Sequence, residues 1–248
     1  NGHFGGIANL AAKVVIPQIV EYGTGQISYA SEVPIGAGVS SSTALTVAIL
    51  YGLLRFRGLN YSLYRVAELA RYAELNHLRI ICGYQDAYMC TFGGLNYMDF
   101  RGKAFYRQAA EELYATIEPL AAYVPHDLPM LLAHTGVMHS SDAVHRPLRE
   151  RWLEGDREVR EGYEAITRLA QEGKKALLLH DWERLGRLMN ENHAIQRDLG
   201  GSGEENERLI KMALDYGAWG AKLAGAGGGG TIIALHPEPD ALTAALSA

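Results

Sequence analysis

The chain has 248 residues, of which 48% are hydrophobic and 21% are charged, and its formal net charge is −5. This is the composition of a globular protein with a sizeable core, and the acidic balance provides no general electrostatic footprint for nucleic acid. No apolar run is long enough to cross a bilayer, and the first residues lack the features of a signal peptide, so we expect a cytoplasmic protein without a membrane partner. The two cysteines, Cys82 and Cys90, have the spacing of neither a redox pair nor a zinc site, which favours reduced cysteines near the core.

The first part of the chain alternates predicted helices with short extended segments. Apolar residues at helical spacing predict a first helix, and β-prone residues then predict a strand before a loop rich in glycine and serine. Ser62 is the predicted N-cap of a later helix. In chain order, the predicted elements are the helix Ile7–Tyr22, the strand Gln26–Ser31, the loop Pro34–Ser42, the helices Thr43–Phe56 and Leu63–Asn76, a loop around Gly83, and the strand Leu95–Phe100.

The second part of the chain begins with a predicted strand and continues as charged amphipathic helix. That helical stretch, Arg146–Asp198, is predicted to break near Gly155 and near His180–Asp181. The remaining predicted elements are the strand Pro129–His134, the helix Glu204–Tyr216, the strands Ala221–Leu223 and Thr231–Leu235 on either side of a glycine run, and a helix from Asp240. Mixed helix and strand content predicts an α+β fold, and a change of character over residues 101–128 predicts a boundary between two lobes.

The loop Pro34–Ser42 carries the strongest chemical signal. Gly36 and Gly38 allow positive φ and a close backbone approach to a ligand. The loop leads into the N-terminus of the Thr43–Phe56 helix, where unpaired N–H groups and partial positive charge favour an anion such as phosphate. It matches neither a Walker A sequence nor GxGxxG. From these residues alone, a turn that ends in a serine N-cap stays open as the alternative.

This loop resembles the second signature of the GHMP small-molecule kinases, whose pattern is Pro-x-x-x-Gly-Leu-Gly/Ser-Ser-Ser-Ala. Val39 stands for the leucine and Thr43 for the alanine of that pattern. The glycine-rich stretch Lys222–Thr231 is similar to the family's third signature. Between the two signatures, Cys82–Tyr88 and Phe92–Phe100 resemble the glucuronokinase and heptose kinase branch, and Ser141–Asp156 is similar to plant-type glucuronokinases.

The resemblance implies a two-lobed GHMP kinase fold. Residues 1–115 would form the N-terminal lobe, which is like ribosomal protein S5 and carries the phosphate loop. Residues 116–248 would form a ferredoxin-like C-terminal lobe with the third motif. The family begins with a strand and a first signature, so the resemblance also implies N-terminal strands that this chain lacks. Lys13 lies in the predicted first helix and is interpreted as a solvated lysine rather than as a substitute for that signature.

The resemblance further implies ATP and Mg²⁺ as cofactors. It assigns ATP-phosphate binding to the loop and to the start of the next helix, and it places Mg²⁺ on Ser42 and Glu74. It makes Asp86 the catalytic carboxylate, which would accept the proton of the acceptor hydroxyl or orient that oxygen. The implied phosphate-binding residues are Gly36, Gly38, Val39, Ser40, Ser41, Ser42 and Thr43, and the implied third-motif residues are Gly225, Gly227, Gly228 and Gly229.

The acceptor site is predicted from position and chemistry. A uronic acid would need a partner for its carboxylate, and the planar guanidinium of an arginine is the best match. Arg149 is the candidate, beside Arg146 in the segment similar to glucuronokinases. The predicted substrate residues are Tyr84, Gln85, Thr135, Gly136, His139, Ser141, His145 and Arg149.

The predicted function is ATP-dependent phosphorylation of a sugar hydroxyl, with the anomeric 1-OH of glucuronate as the favoured acceptor. A heptose phosphate or a galactose-like sugar is the second possibility. A third, from another class, is a catalytically silent sensor that binds ATP and sugar, although Ser42, Glu74 and Asp86 together argue against it. The predicted partner is a small-molecule sugar. The sequence leaves the oligomeric state open, a homodimer included.

Overall fold

The structure is a computed structural model, and it describes residues 28–33, 37–78, 82–103, 114–125, 127–137, 141–225 and 230–247, with the backbone alone for 77–78 and 141–146. Its internal contacts divide the chain into two compact units. The first comprises the residues up to Val33 and Ser40–Pro119, and the second comprises Pro34–Val39 and Leu120–Ala248. The division after Pro119 falls later than the predicted boundary after residue 115. A second division, between Val39 and Ser40, assigns the first part of the predicted phosphate loop to the second unit and its last residues to the first unit.

The first unit is built from helices and one β-hairpin. Ser62 caps a helix as predicted, because its hydroxyl accepts a hydrogen bond from the Arg65 N–H at 3.3 Å. Leu50, Val66 and Ala87 lie in the core between the helices. The elements are α1 (Ser41–Phe56), α2 (Leu63–Tyr72), a π-helical turn (Ala73–Leu78), α3 (Gln85–Phe92), β1 (Asn96–Asp99) and β2 (Thr116–Pro119), with β1 and β2 antiparallel.

Three features of the first unit differ from the sequence prediction or were not predicted. Helix α3 begins two residues after Gly83, where the sequence predicted a loop, and β2 was not predicted at all. The prediction of a strand at Gln26–Ser31 is wrong for residues 28–31, the part that the structure describes, because these residues have no strand pairing. The helix predicted at Ile7–Tyr22, with Lys13, lies outside the described residues.

The second unit is a three-stranded antiparallel sheet with helices. The strand order is β3–β5–β4. Apolar residues of α7 and α8 pack on one face of the sheet, where Ile210, Ala213 and Leu242 meet Ile232 and Ala234. The elements are β3 (Met130–His134), α4 (Ser141–Glu154), α5 (Arg157–Leu178), α6 (Trp182–Asp198), α7 (Glu204–Asp215), β4 (Gly220–Leu223), β5 (Thr231–Leu235) and α8 (Pro239–Leu246).

The long helical stretch breaks at both predicted places. Each new helix starts at an aspartate cap: Asp156 accepts from the N–H groups of Glu158 and Val159, and Asp181 accepts from the N–H of Arg184. An aspartate at this position satisfies N–H groups that have no partner within the helix. Local capping therefore sets where α5 and α6 begin.

Helix α6 lies unusually close to strand β4. A Cβ atom added to Gly186 would come 2.4 Å from the Trp219 carbonyl carbon, and one added to Gly220 would come 2.2 Å from the Gly186 oxygen. Asn190, one turn further along α6, accepts a hydrogen bond from the Ala221 N–H at 2.9 Å. These contacts cover the edge of β4, and they require glycine at both positions because any side chain would collide with backbone.

The predicted α+β class is confirmed by this mixture of helices and antiparallel strands. Within the described ranges, none of the helices combines the length and the apolar character that crossing a bilayer requires.

Candidate active site

A buried carboxylate in the first unit, Glu74, is held by two hydroxyls from the start of α1. It is 2% exposed, so it is not a surface carboxylate. The Ser42 hydroxyl donates to Glu74 Oε1 at 3.1 Å, and the Thr43 hydroxyl lies 2.9 Å from both carboxylate oxygens. Burial raises the pKa of Glu74, the hydrogen bonds from Thr43 and Ser42 oppose that rise, and the negative charge of Asp86 adds to it.

Asp86 lies in the first turn of α3 and is partly buried. Its charge acts on Glu74, and also on Cys82, which makes a side-chain hydrogen bond with Glu74. Burial, together with the charge of Glu74, raises the pKa of Cys82 to about 12, so this thiol stays protonated at neutral pH. The structure therefore brings together Ser42, Glu74 and Asp86, three residues that the sequence analysis had assigned to one site.

Two members of this cluster carry side-chain contacts that the sequence analysis missed. Cys82 was interpreted as a core residue, and nothing in its spacing indicates a contact with Glu74. Thr43 was predicted to bind phosphate, but it is 3% exposed and its hydroxyl is directed at Glu74. Thr43 and Glu74 are separated by 31 positions, and the tertiary packing of α1 against the π-helical turn brings them together.

Tyr84, predicted to contact a sugar, has its ring packed against protein cations. The Arg71 guanidinium carbon lies 3.7 Å from the ring centroid, the Lys103 ammonium lies 4.3 Å from it, and the Phe100 ring stacks at 5.9 Å. Attraction between a cation and an aromatic ring holds such an arrangement together. The neighbouring Gln85 is exposed.

A buried ionic network lies beside this aromatic group. Lys103 pairs with Glu68 at 2.5 Å, and their side chains are 2% and 5% exposed. The Tyr88 hydroxyl donates to the same carboxylate and accepts the Ala115 N–H at 3.1 Å. Burial raises the pKa of Tyr88 well above its ordinary value, and the hydrogen bond to Glu68 adds to this effect. The network ties α2, α3 and the β2 end of the hairpin together around the segment that carries Asp86.

The start of α1 has the backbone geometry of an anion site. Ser40 adopts a left-handed conformation with φ of 59°, and Gly38 has φ of 73°. Among the described residues, the Ser40 side chain makes no capping hydrogen bond to the helix. This counts against the alternative in which this serine serves only as an N-cap. The first N–H groups of an α-helix have no partner within the helix, and this is how helix N-termini bind phosphate.

In the second unit, the two glycine motifs meet. The Thr231 hydroxyl donates to the Ala37 carbonyl at 2.7 Å, across 194 positions of sequence. A Cβ atom on Gly225 would lie 2.9 Å from the Gly38 carbonyl oxygen, so glycine permits the close approach. The turn after β3 extends the same region: the Thr135 N–H donates to the Gly230 carbonyl at 2.8 Å, and Gly136 has φ of 78°.

Several predicted site residues lie outside what the structure describes. For Ser141 and His145 only the backbone is described, within α4, and Arg149 is half-buried in the same helix. The residues outside the described ranges are Gly36, His139, Gly227, Gly228 and Gly229.

Comparison with protein families gives matches at both ends of the chain. The model of the GHMP kinases N-terminal domain matches residues 7–94, and the model of the GHMP kinases C-terminal domain matches residues 174–248. Together these matches include the phosphate loop, Glu74, Asp86 and the third motif.

Curated relatives include enzymes with different acceptors. Mevalonate kinase of Pyrococcus horikoshii is 33% identical over an alignment that covers 85% of this chain and 59% of that protein. Probable glucuronokinase 2 of Arabidopsis thaliana is 31% identical over an alignment that covers 96% of this chain and 66% of that protein. The chain therefore spans less than two thirds of the length of either relative.

Solved structures share the fold. The crystal structure of a D-glycero-D-manno-heptose 1-phosphate kinase from Bacteroides thetaiotaomicron superposes with a TM-score of 0.72 at 22% identity, over 98% of this chain and 68% of its own. At this level of identity the likeness concerns the fold alone.

Proposed function

Because the chain belongs to the GHMP kinase family, we propose that the protein transfers the γ-phosphoryl group of ATP to a hydroxyl of a small sugar. The first acceptor in this proposal is glucuronate at its anomeric 1-OH, which gives glucuronate 1-phosphate and ADP. In the transfer, the acceptor oxygen forms a bond to the γ-phosphorus, and the bond from that phosphorus to the ADP oxygen breaks.

The observation that carries the proposal is the pairing of Ser42 with the buried Glu74, next to the charge of Asp86. Burying the Glu74 carboxylate near a second negative charge is costly, and a protein that needed only stability would replace it with an apolar residue. Phosphoryl transfer does need carboxylates, because it depends on neutralising phosphate charge and on orienting the attacking oxygen. The proposal explains why this unit retains both carboxylates.

The donor set of the cluster fits Mg²⁺. Ser42 and Glu74 offer a hydroxyl and a carboxylate, the hard oxygen ligands that this ion prefers. The described residues contain no group of three or more His, Cys, Asp or Glu side chains that could enclose a metal. Ser42 and Glu74 would therefore hold an ion whose other ligands are phosphate oxygens and water, and bound Mg²⁺ would supply neutralising charge for the phosphates.

Asp86 is the residue that the proposal places opposite the acceptor hydroxyl. Its carboxylate would accept the proton that the hydroxyl loses, or it would hold that oxygen in line with the γ-phosphate. The Tyr84 ring, fixed between Arg71 and Lys103, immobilises the start of α3 two residues before Asp86. That rigidity supports a positioning role for this segment, since effective catalysis needs reacting groups held within narrow limits.

The N-terminus of α1 supplies the phosphate contacts in this proposal. Backbone N–H groups at Ser41 and Ser42 would bind phosphate oxygens, aided by the helix dipole. The left-handed turn at Ser40 supports this, since it orients successive N–H groups toward one side. Within the second unit, Gly38 and Gly225 approach each other closely, and glycine at position 225 permits that approach.

The choice of glucuronate is supported by the 31% identity to a probable glucuronokinase. A mevalonate kinase is similarly close at 33% identity, so mevalonate is the second candidate acceptor. Glucuronate and mevalonate both carry a carboxylate besides the reacting hydroxyl. An arginine that pairs with a carboxylate would serve either acceptor, and Arg149 is the residue proposed for it.

The test is an acceptor panel with the full-length protein. ATP consumption is measured against glucuronate, galacturonate, galactose, heptose 7-phosphate and mevalonate, and the product is located by phosphorus NMR. We expect turnover with glucuronate and a phosphate on its anomeric oxygen. Turnover with mevalonate alone would overturn the sugar assignment, and ATP binding without turnover of any acceptor would favour the sensor.

The carboxylate partner is tested in the same panel. Replacing Arg149 with Ala should raise KM for a uronate and leave KM for galactose unchanged, because only the uronate would lose a partner for its charge. Equal effects on both sugars would remove Arg149 from carboxylate recognition.

A further inference from the structure

Thr43 occupies a position next to the proposed metal ligand but faces away from solvent. Its side chain is 3% exposed, and its hydroxyl lies 2.9 Å from Oε1 and 2.9 Å from Oε2 of Glu74. Ser42 reaches only Oε1, at 3.1 Å. The carboxylate of Glu74 is thus held by consecutive hydroxyls in the first turn of α1, with Thr43 on its buried side.

The chemistry of these side chains gives Thr43 a defined role. A glutamate has three side-chain torsions, and a metal-binding carboxylate must be kept in one of many available orientations. Threonine is stiff at χ1, so a hydroxyl buried against both oxygens restricts the carboxylate as a whole. Glu74 itself sits on a π-helical turn, a local geometry that often marks functional sites in helices.

We propose that Thr43 is a positioning residue whose hydroxyl holds Glu74 in the orientation that binds the site's cation together with Ser42. The inference rests on the proposed kinase function, since that function supplies the cation. It also removes Thr43 from the residues proposed to contact phosphate. The GHMP pattern has alanine at this position, so the hydroxyl is a feature of this chain rather than of the motif.

The test compares cation binding among hydroxyl variants of one helix. Mn²⁺ serves as the probe, titrated into the full-length protein with a non-hydrolysable ATP analogue and followed by electron paramagnetic resonance. Thr43→Val removes the hydroxyl and keeps the shape, and should weaken Mn²⁺ binding by about 10- to 100-fold, as loss of an outer-shell partner does. Thr43→Ser restores the hydroxyl and should bind Mn²⁺ nearly as the unaltered protein does.

Thr46 provides the matched control. It is also a buried threonine of α1, at 1% exposure, but its hydroxyl donates to the Ser42 carbonyl at 3.0 Å and not to Glu74. Thr46→Val should leave Mn²⁺ affinity unchanged. Equal affinities for Thr43→Val and Thr46→Val would overturn the inference. Thermal unfolding is measured on each variant, and Thr43→Ala replaces Thr43→Val if the valine variant does not fold.

A second comparison separates positioning from general damage. In a Glu74→Gln background, adding Thr43→Val should cause no further loss of Mn²⁺ affinity, because the carboxylate it orients is already gone. Additive losses would contradict the inference. Absence of turnover by the unaltered protein in the acceptor panel would overturn the proposed function while the Mn²⁺ comparison still reports on Thr43. Failure of the unaltered protein to bind Mn²⁺ with nucleotide would overturn both.

Discussion

The first unit buries the charged residues Glu68, Arg71 and Glu74 at 7% exposure or less, and the side chain of Lys103 is 2% exposed. In the described part of the second unit, the polar side chains buried to this degree are histidines, an asparagine and a threonine, around a sheet core of alanine, isoleucine and leucine. Buried charges lower stability unless they are paired, so their concentration in the first unit has a cost. The first unit concentrates charged side chains in its interior, whereas the described part of the second unit combines an apolar sheet core with close backbone contacts.

The largest effect is expected at Asp86, which tests whether the chemistry belongs to the first unit. Asp86→Asn should lower kcat by about 100- to 10,000-fold, the usual contribution of a positioned acid or base, while ATP affinity changes little. Steady-state kinetics and equilibrium ATP binding measure the two effects. The control is Asp215→Asn, an exposed second-unit residue paired with Lys211. Turnover like that of the unaltered protein would remove Asp86 from the mechanism.

The next effect tests the cost of buried charge in the first unit. Lys103→Met leaves Glu68 buried without its cation and should lower the free energy of unfolding by about 3–5 kcal/mol. Urea unfolding followed by circular dichroism measures it. Arg157→Met removes one partner of an exposed pair with Glu161 and should change stability by less than about 1 kcal/mol. A similarly small loss for Lys103→Met would show that burial of this pair carries no special cost.

The third effect tests close backbone packing in the second unit. Gly186→Ala forces a methyl group against Trp219 and should lower the free energy of unfolding by about 1–3 kcal/mol, as overpacking does. Gly173 lies in the preceding helix, where an added Cβ would meet Leu185 at 3.6 Å, an ordinary contact. Gly173→Ala should therefore stabilise the protein by up to about 1 kcal/mol. If both substitutions behave alike in urea unfolding, the contact of α6 with β4 tolerates a side chain.

The smallest effect concerns Lys222, a second-unit cation that donates to the Leu223 carbonyl at 2.6 Å. Burial lowers the pKa of Lys222 to about 8, so the unfolded chain binds more protons than the folded one between that pH and the ordinary pKa of about 10.5. Stability then rises with pH across this interval. Lys222→Met should stabilise the protein at pH 7 by about 1–3 kcal/mol, and the gain should shrink as the pH approaches 10.

Urea unfolding at pH 7 and pH 9.5 measures the Lys222 effect. Lys211→Met, at a position where the lysine side chain is 74% exposed, is the matched control and should show no such pH dependence. A gain for Lys222→Met that is equal at both pH values would contradict the inferred burial of a charged amine.

Local signals explain which parts of the fold could be predicted. The breaks before α5 and α6 were predicted near Gly155 and near His180–Asp181, and the caps that fix them are read from one turn of chain. Helix α3 was missed because it has only eight residues between Gly83 and Gly93, and its burial of Ala87 and Tyr88 is a tertiary effect. Strand β2 is four residues long and depends on pairing with β1, which its own sequence does not reveal.

The candidate site shows the same limit. The family motifs identify Ser42, Glu74 and Asp86, and the structure brings these three together. The roles of Thr43 and Cys82 could not be predicted, since each depends on a contact with Glu74 made through packing rather than through spacing. Glu74 itself sits on an amphipathic helical stretch that the sequence cannot distinguish from a solvated surface.

The bond between Thr231 and Ala37 has a consequence for the order of events during synthesis. The two residues are separated by 194 positions, so the start of the glycine loop has already left the ribosome long before its partner is translated. Closing so long a loop costs entropy that is recovered only when the surrounding strands are present. The contact between the two motifs can therefore form only after β5 has been made, and a nascent chain that ends before Thr231 emerges without it.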